Sequence, residues 1–123
     1  MNTNTATQLF ESLSAATRLD IFRLLVRMGH EGMVAGDIAA TLDILPNKLS
    51  FHLKGLLHAG MISVTHEGRF LRYRANLALM LDLIAYLTEE CCAGRPEQCA
   101  DLRSQFCCPE SMLPLTPIEP KAP

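Results

Sequence analysis

Between Pro46 and Ala75 the hydrophobic repeat changes period. In P-N-K-L-S-F-H-L-K-G-L-L-H-A-G, residues Leu49, Leu53, Leu56 and Leu57 recur at the spacing of one helical face; in M-I-S-V-T-H-E-G-R-F-L-R-Y-R-A the apolar positions alternate. Pro46 suits the first turn of a helix, where its missing N–H costs nothing, and Gly60 stops the stripe. The helix leaves Asn47, Lys48, Ser50, Phe51 and Lys54 on its other side, and an exposed Phe51 there is unusual. Alternation then predicts a β-hairpin with Ile62 and Val64 on one strand and Leu71, Tyr73 and Ala75 facing inward on the next. Arg72 and Arg74 point outward, and Glu67-Gly68 is the expected turn.

The flanking segments are helical. Leu9 and Leu13, four apart in T-Q-L-F-E-S-L, suggest a short first helix whose apolar face needs a partner elsewhere. A-T-R-L-D-I-F-R-L-L-V-R-M-G reads as a helix started by Thr17 and stopped by Gly29, with Leu19, Ile21, Phe22, Leu25 and Val26 as its apolar residues. Val34, Ile38 and Leu42 place a third helix over about residues 34–42. After the hairpin, helical spacing returns in N-L-A-L-M-L-D-L-I-A-Y-L-T-E-E with Leu77, Met80, Leu81, Ile84 and Leu87, a stripe too apolar to stand alone. At 123 residues the chain has room for one core. Helix, short helix, turn, helix and hairpin make an α+β, mainly α fold with the layout of a winged helix-turn-helix. Residues 1–106 are expected to form the working domain. Residues 107–123 are expected to be a disordered tail, since five prolines fall between positions 109 and 123.

Charge is concentrated where that layout would use it. The net charge of −2 divides into −2 for residues 1–43, +4 for 44–76 and −4 for 77–123. Lys48, Lys54, Arg69, Arg72 and Arg74 supply the basic segment, with His52, His58 and His66 nearby. A solvated basic face is the commoner reading of any charge cluster, but here charge, helix spacing and hairpin coincide. An α-helix fits the major groove, so Asn47, Lys48, Ser50, Phe51, His52 and Lys54 are the candidates for base and backbone contacts. Arg69, Arg72 and Arg74 are the candidates on the hairpin, along the backbone or in the minor groove.

The segments S-A-A-T-R-L-D-I-F-R-L-L, L-S-F-H-L-K-G-L-L-H-A-G-M-I and H-E-G-R-F-L-R-Y-R-A resemble the ArsR/SmtB family of metal-responsive transcriptional repressors over about residues 8–90. The resemblance implies a homodimer on double-stranded operator DNA that dissociates when a metal or metalloid binds. It also implies first and last helices that pack across the two-fold, which would give Leu9, Leu13, Leu77, Met80, Leu81, Ile84 and Leu87 their partner. Two of the family's inducer sites do not carry over. Arsenic-sensing members with C-V-C-D-L at the first helix of the turn are matched here by Val34-Ala35-Gly36-Asp37-Ile38, and zinc-sensing members use histidines on the last helix, whereas no histidine follows His66.

Five cysteines remain to be explained: Cys91, Cys92, Cys99, Cys107 and Cys108. The start M-N-T-N-T-A-T-Q has neither the basic nor the apolar stretch of a signal peptide, and no apolar run approaches the length of a bilayer span. A cytoplasmic protein with reduced thiols and no membrane partner is therefore expected. Adjacent residues in a helix point about 100° apart, so Cys91 and Cys92 converge on one ion only past the helix end, which Gly94 and Pro96 supply. Trivalent arsenic or antimony is soft and takes three thiolates, and Cys91, Cys92 and Cys99 fit that demand. The same arrangement resembles a subgroup of arsenic-responsive members with a Cys-Cys pair and a third cysteine after the last helix. Cys107 and Cys108 are auxiliary ligands or spectators. A zinc, cadmium or lead site and a redox sensor are the competing readings, although no C-x₂-C knuckle is present. A metalloid-sequestering module would not need a basic helix and wing. An enzyme is not expected: a phosphatase-like arsenate reductase needs Cys-x₅-Arg, but Glu97, Gln98 and Gln105 stand six residues after Cys91, Cys92 and Cys99.

Overall fold

The computed structural model describes residues 1–90. The chain divides into two units, Met1–Met80 and Leu81–Pro123. Helix α1 (Thr3–Ser12) opens on an Asn2 cap whose Oδ1 accepts the Thr5 N–H at 2.8 Å. Ala6, Leu9 and Ser12 form its buried face, which packs on α4 (Pro46–Ala59). Leu9 is only 2% exposed, so its partner is found inside the protomer rather than on a second copy; Leu13 is half-buried.

Helix α2 spans Ala16–Met28 and begins after Ala15 with no side-chain cap, so Thr17 lies in the first turn and does not initiate it. Ile21, Phe22, Leu24 and Leu25 are buried. At about 100° per residue, Leu19 falls on the far side of that arc and is 42% exposed, contrary to its place in the expected stripe. A 3₁₀ turn (Gly29–Glu31) and Gly32 lead into β1 (Met33–Val34), a two-residue strand too short to leave an alternating signal. Gly32 has φ +61°, and a Cβ there would collide with the Tyr73 carbonyl oxygen, so only glycine lets this strand approach its neighbour. Val34 therefore belongs to the sheet, and α3 runs from Ala35 to Leu42 around a fully buried Ile38.

Asp43, in the left-handed region at φ +53°, ends α3 and turns the chain toward α4. Pro46 occupies the first turn of α4, and Gly60 at φ +83° closes it, its N–H donating to the Leu56 and Leu57 carbonyls. Leu49, Leu53 and Leu56 are buried, and burial of such side chains is worth roughly 1.5–3 kcal/mol each. The hairpin pairs β2 (Ile62–Glu67) with β3 (Phe70–Ala75), and the antiparallel sheet order is β1-β3-β2. Glu67 pairs with Phe70, so the turn is Gly68-Arg69, one residue later than expected, with Gly68 at φ +64°. The inward face survives that shift: Val64 lies opposite a buried Tyr73 and Ile62 opposite Ala75.

Asn76 joins the hairpin to the last helix. Its Nδ2 donates to the Gly60 carbonyl at 3.0 Å while its Oδ1 accepts the Leu79 N–H at 3.1 Å. Helix α5 (Leu77–Thr88) buries Leu83, half-buries Leu77, Met80, Leu81 and Ile84, and leaves Leu87 exposed. Thr88 Oγ1 donates back to the Ile84 carbonyl, and Glu90 adopts φ +55°, so the helix ends before the first cysteine. Cys91, Cys92, Cys99, Cys107 and Cys108, and the boundary expected after residue 106, lie outside the described residues. Among the described residues no helix is long and apolar enough to cross a membrane.

Candidate nucleic-acid interface

Helices α3 and α4 form the helix-turn-helix, and α4 presents the face opposite its buried leucines. Asn47, Lys48, Ser50, Phe51 and Lys54 are all exposed, and Phe51 is 68% exposed. Asn47 Oδ1 accepts the Lys48 N–H at 2.9 Å, which leaves the amide nitrogen of its side chain free to donate outward. His52 differs from the others. Its ring is half-buried and meets Phe51 edge-on at 5.4 Å between centroids.

Burial, then the positive charges of Arg18 and Lys48, hold the His52 pKa below its ordinary value of 6.5. His52 Nδ1 and Arg18 Nε are enclosed, and neither has a hydrogen-bond partner within the described residues. Arg18 comes from the first turn of α2 and lies under Gly55, where an added Cβ would stand 3.3 Å from its Nη1. Gly55 is thus the point at which α4 can pass over a guanidinium.

An open depression of about 570 Å³ lies at the start of α4, lined by Thr17, Leu45, Asn47, Lys48, Phe51 and His52 among others. Thr17, Arg18 and Leu45 escape a reading by helical stripe. Thr17 and Arg18 belong to a different helix, and Leu45, 64% exposed, precedes the helix whose face it extends.

The wing divides its three arginines. Arg72 Nε donates to both Glu67 carboxylate oxygens at 3.0 and 2.9 Å, and its Nη1 reaches the Glu31 carbonyl at 3.0 Å. Arg74 Nε donates to the His30 carbonyl at 2.7 Å and its Nη1 to Thr65 Oγ1 at 2.9 Å. Both point away from Tyr73, as alternation requires, yet their donors bind the wing to the turn before β1. Arg69, at the hairpin tip, is exposed and makes no such bond among the described residues. The expected trio is therefore one outward cation and two that brace its support. Within the described residues no group of three or more His, Cys, Asp or Glu could hold a metal ion.

Comparison with known proteins agrees with this geometry. A family model described as a helix-turn-helix domain matches residues 13–65. The transcriptional repressor SdpR of Bacillus subtilis (strain 168) is 35% identical over 79 residues, covering 64% of this chain and 84% of SdpR. An ArsR-like transcriptional regulator from Rhodococcus sp. RHA1 superposes with a TM-score of 0.62 at 26% identity, over 82% of this chain and 92% of that one. The homodimeric winged helix-turn-helix DNA-binding domain of Mb0332 from Mycobacterium bovis gives 0.56 at 20% identity, over 75% and 85% of the two chains, a likeness of fold. With the helix-turn-helix, its exposed polar face and the wing in place, the chain belongs to the ArsR/SmtB family of winged helix-turn-helix transcriptional repressors.

Proposed function

We propose that the protein is a homodimeric repressor that holds operator DNA through α4 and the wing and releases it when trivalent arsenic or antimony binds Cys91, Cys92 and Cys99. The observation that carries the DNA half is the exposed row Asn47, Lys48, Ser50 and Lys54 on the side of α4 opposite buried Leu49, Leu53 and Leu56. Polar groups on a helix of groove-fitting width can reach base edges and phosphates. The homodimeric state described for Mb0332, together with the apolar residues left half-buried or exposed along α5, supports self-association. One recognition helix per subunit then implies a pseudo-palindromic operator with half-sites about one helical turn, roughly 34 Å, apart.

The inducer half rests on donor chemistry. Three soft thiolates in one short segment match the three-thiolate demand of a soft trivalent metalloid better than zinc, whose structural sites take four ligands. The segment directly follows α5, so closing three thiolates on one ion would act on that helix and change the spacing of the two recognition helices. Cys107 and Cys108 are spectators or auxiliary ligands in this reading. Coupling of this kind is typically about 1–3 kcal/mol.

The test is fluorescence anisotropy of the reduced protein on a labelled duplex of its own upstream DNA, with salt held fixed because salt alone moves such affinities by orders of magnitude. Arsenite at near-stoichiometric concentration is expected to release the wild type, and Cys91→Ser, Cys92→Ser and Cys99→Ser proteins are expected to stay bound. Release of all three variants by arsenite would remove the inducer assignment. Response to zinc, cadmium or peroxide alone would replace the metalloid with one of the competing signals.

A further inference from the structure

The depression at the start of α4 combines charged and large apolar side chains in one lining. Its lining holds Lys48 and Asp43, with Lys54 further along the same exposed face, yet Ile44, Leu45 and Phe51 make much of its wall apolar, and of these Leu45 and Phe51 are exposed. Leu45 is 64% exposed and Phe51 68% exposed. A single exposed apolar residue needs no explanation, but a leucine and a phenylalanine lining one hollow on the charged face of a recognition helix do.

Among the described residues neither side chain is covered. Leu45 precedes Pro46 and caps nothing with its side chain, while Phe51 lies among Asn47, Ser50 and Lys54 and touches the His52 ring edge-on. That contact steadies the phenyl ring against a partly buried neighbour. A ring so placed presents a fixed apolar surface outward instead of folding back onto the body of the protein.

In the major groove the edges of adenine, guanine and cytosine offer hydrogen-bond donors and acceptors, and the one apolar group is the C5-methyl of thymine. An apolar ring brought against any other base would strip water from polar atoms and return no hydrogen bond. Against thymine it would bury a methyl group. Resting on the operator reading above, we infer that Phe51, with Leu45 beside it, is a specificity-determining contact that reads a thymine methyl group in each operator half-site. Lys48 and Lys54 supply attraction to any duplex through phosphate, so the apolar pair would set where the helix settles rather than whether it binds.

Deoxyuridine isolates the methyl group, because it keeps the pairing and the O4 acceptor of thymidine and lacks only that carbon. The experiment measures anisotropy of the full-length reduced protein at fixed salt on its upstream duplex, on the same duplex with thymidines of one half-site replaced by deoxyuridine, and on a scrambled duplex. Wild-type protein is expected to bind the deoxyuridine duplex about four-fold more weakly for each methyl contacted, the value of burying one such group. Phe51→Ala is expected to bind both duplexes with nearly equal affinity, and Phe51→Leu to recover part of the preference. Because Phe51 is exposed, both variants should keep the wild-type circular dichroism spectrum. Equal wild-type affinity for the thymidine and deoxyuridine duplexes overturns the inference. So does a thymidine preference that Phe51→Ala retains in full. If the wild type fails to prefer its upstream duplex over the scrambled one, the operator reading falls, and this contact with it.

Discussion

His52 is placed between two demands. Its ring supports Phe51 on the exposed face of α4, while its enclosed Nδ1 and the nearby cations Arg18 and Lys48 oppose protonation. The folded pKa therefore lies below the 6.5 of an unfolded chain, and as pH falls the unfolded state takes up the proton first. The stability associated with neutral His52 is complete above about 6.5 and is lost as pH drops from there through the depressed folded value. Urea denaturation on either side of that pH is expected to show a decline in wild type that is smaller in His52→Gln. An identical decline in the variant would mean that other groups carry it. DNA phosphates favour the imidazolium, so operator affinity should rise as pH falls through the same window, and His52→Gln should flatten that slope as well.

At the level of the element, the wing shows what alternation can and cannot predict. Outward placement of Arg72 and Arg74 follows from the two-residue period and is correct, but a side chain facing away from the core can still be held by its own fold. Arg72 and Arg74 reach the Glu31 and His30 carbonyls, residues some forty positions earlier, and no local pattern encodes that meeting. The two-residue β1 that creates it was equally invisible, being too short for any period and dependent on Gly32 for its close approach. By contrast α4, its Pro46 start, its Gly60 stop and its polar face were legible, because caps and a four-turn stripe are local signals. The arginines should separate experimentally. Arg69→Ala is expected to lower the slope of log affinity against log salt by about 1.8, one counterion of about 0.9 at each of the proposed dimer's two wings, with no change in folding stability. Arg74→Ala should leave that slope in place and cost about 1 kcal/mol in urea denaturation through lost hydrogen bonds to His30 and Thr65. The Arg72–Glu67 ion pair, 2.9 Å long and open to solvent, is worth at most about 1 kcal/mol. A reduced salt slope in Arg74→Ala rather than Arg69→Ala would reverse the assignment.

At the scale of the whole molecule, the charge distribution separates the chain into a basic DNA-facing middle and an acidic C-terminal part that holds every cysteine. The acidic context does not attract DNA, so on the operator reading proposed above the thiols are not themselves DNA contacts. Any effect of metalloid on DNA must then pass through the protein, and such an effect obeys linkage. If arsenite weakens operator binding by a given factor, operator DNA must weaken arsenite binding by the same factor. The check is a closed cycle. Arsenite affinity is measured by thiolate absorbance on free protein and on protein saturated with operator duplex, and DNA affinity by anisotropy with and without saturating arsenite. Equal factors, of roughly 5- to 150-fold for typical couplings, are expected. Dissociation by arsenite with unequal factors would indicate a process outside the cycle, such as thiol oxidation or aggregation, and release would no longer count as induction. Cys91→Ser should weaken arsenite binding outright, because one of three thiolates is lost, and should reduce both factors together while leaving operator affinity without arsenite unchanged.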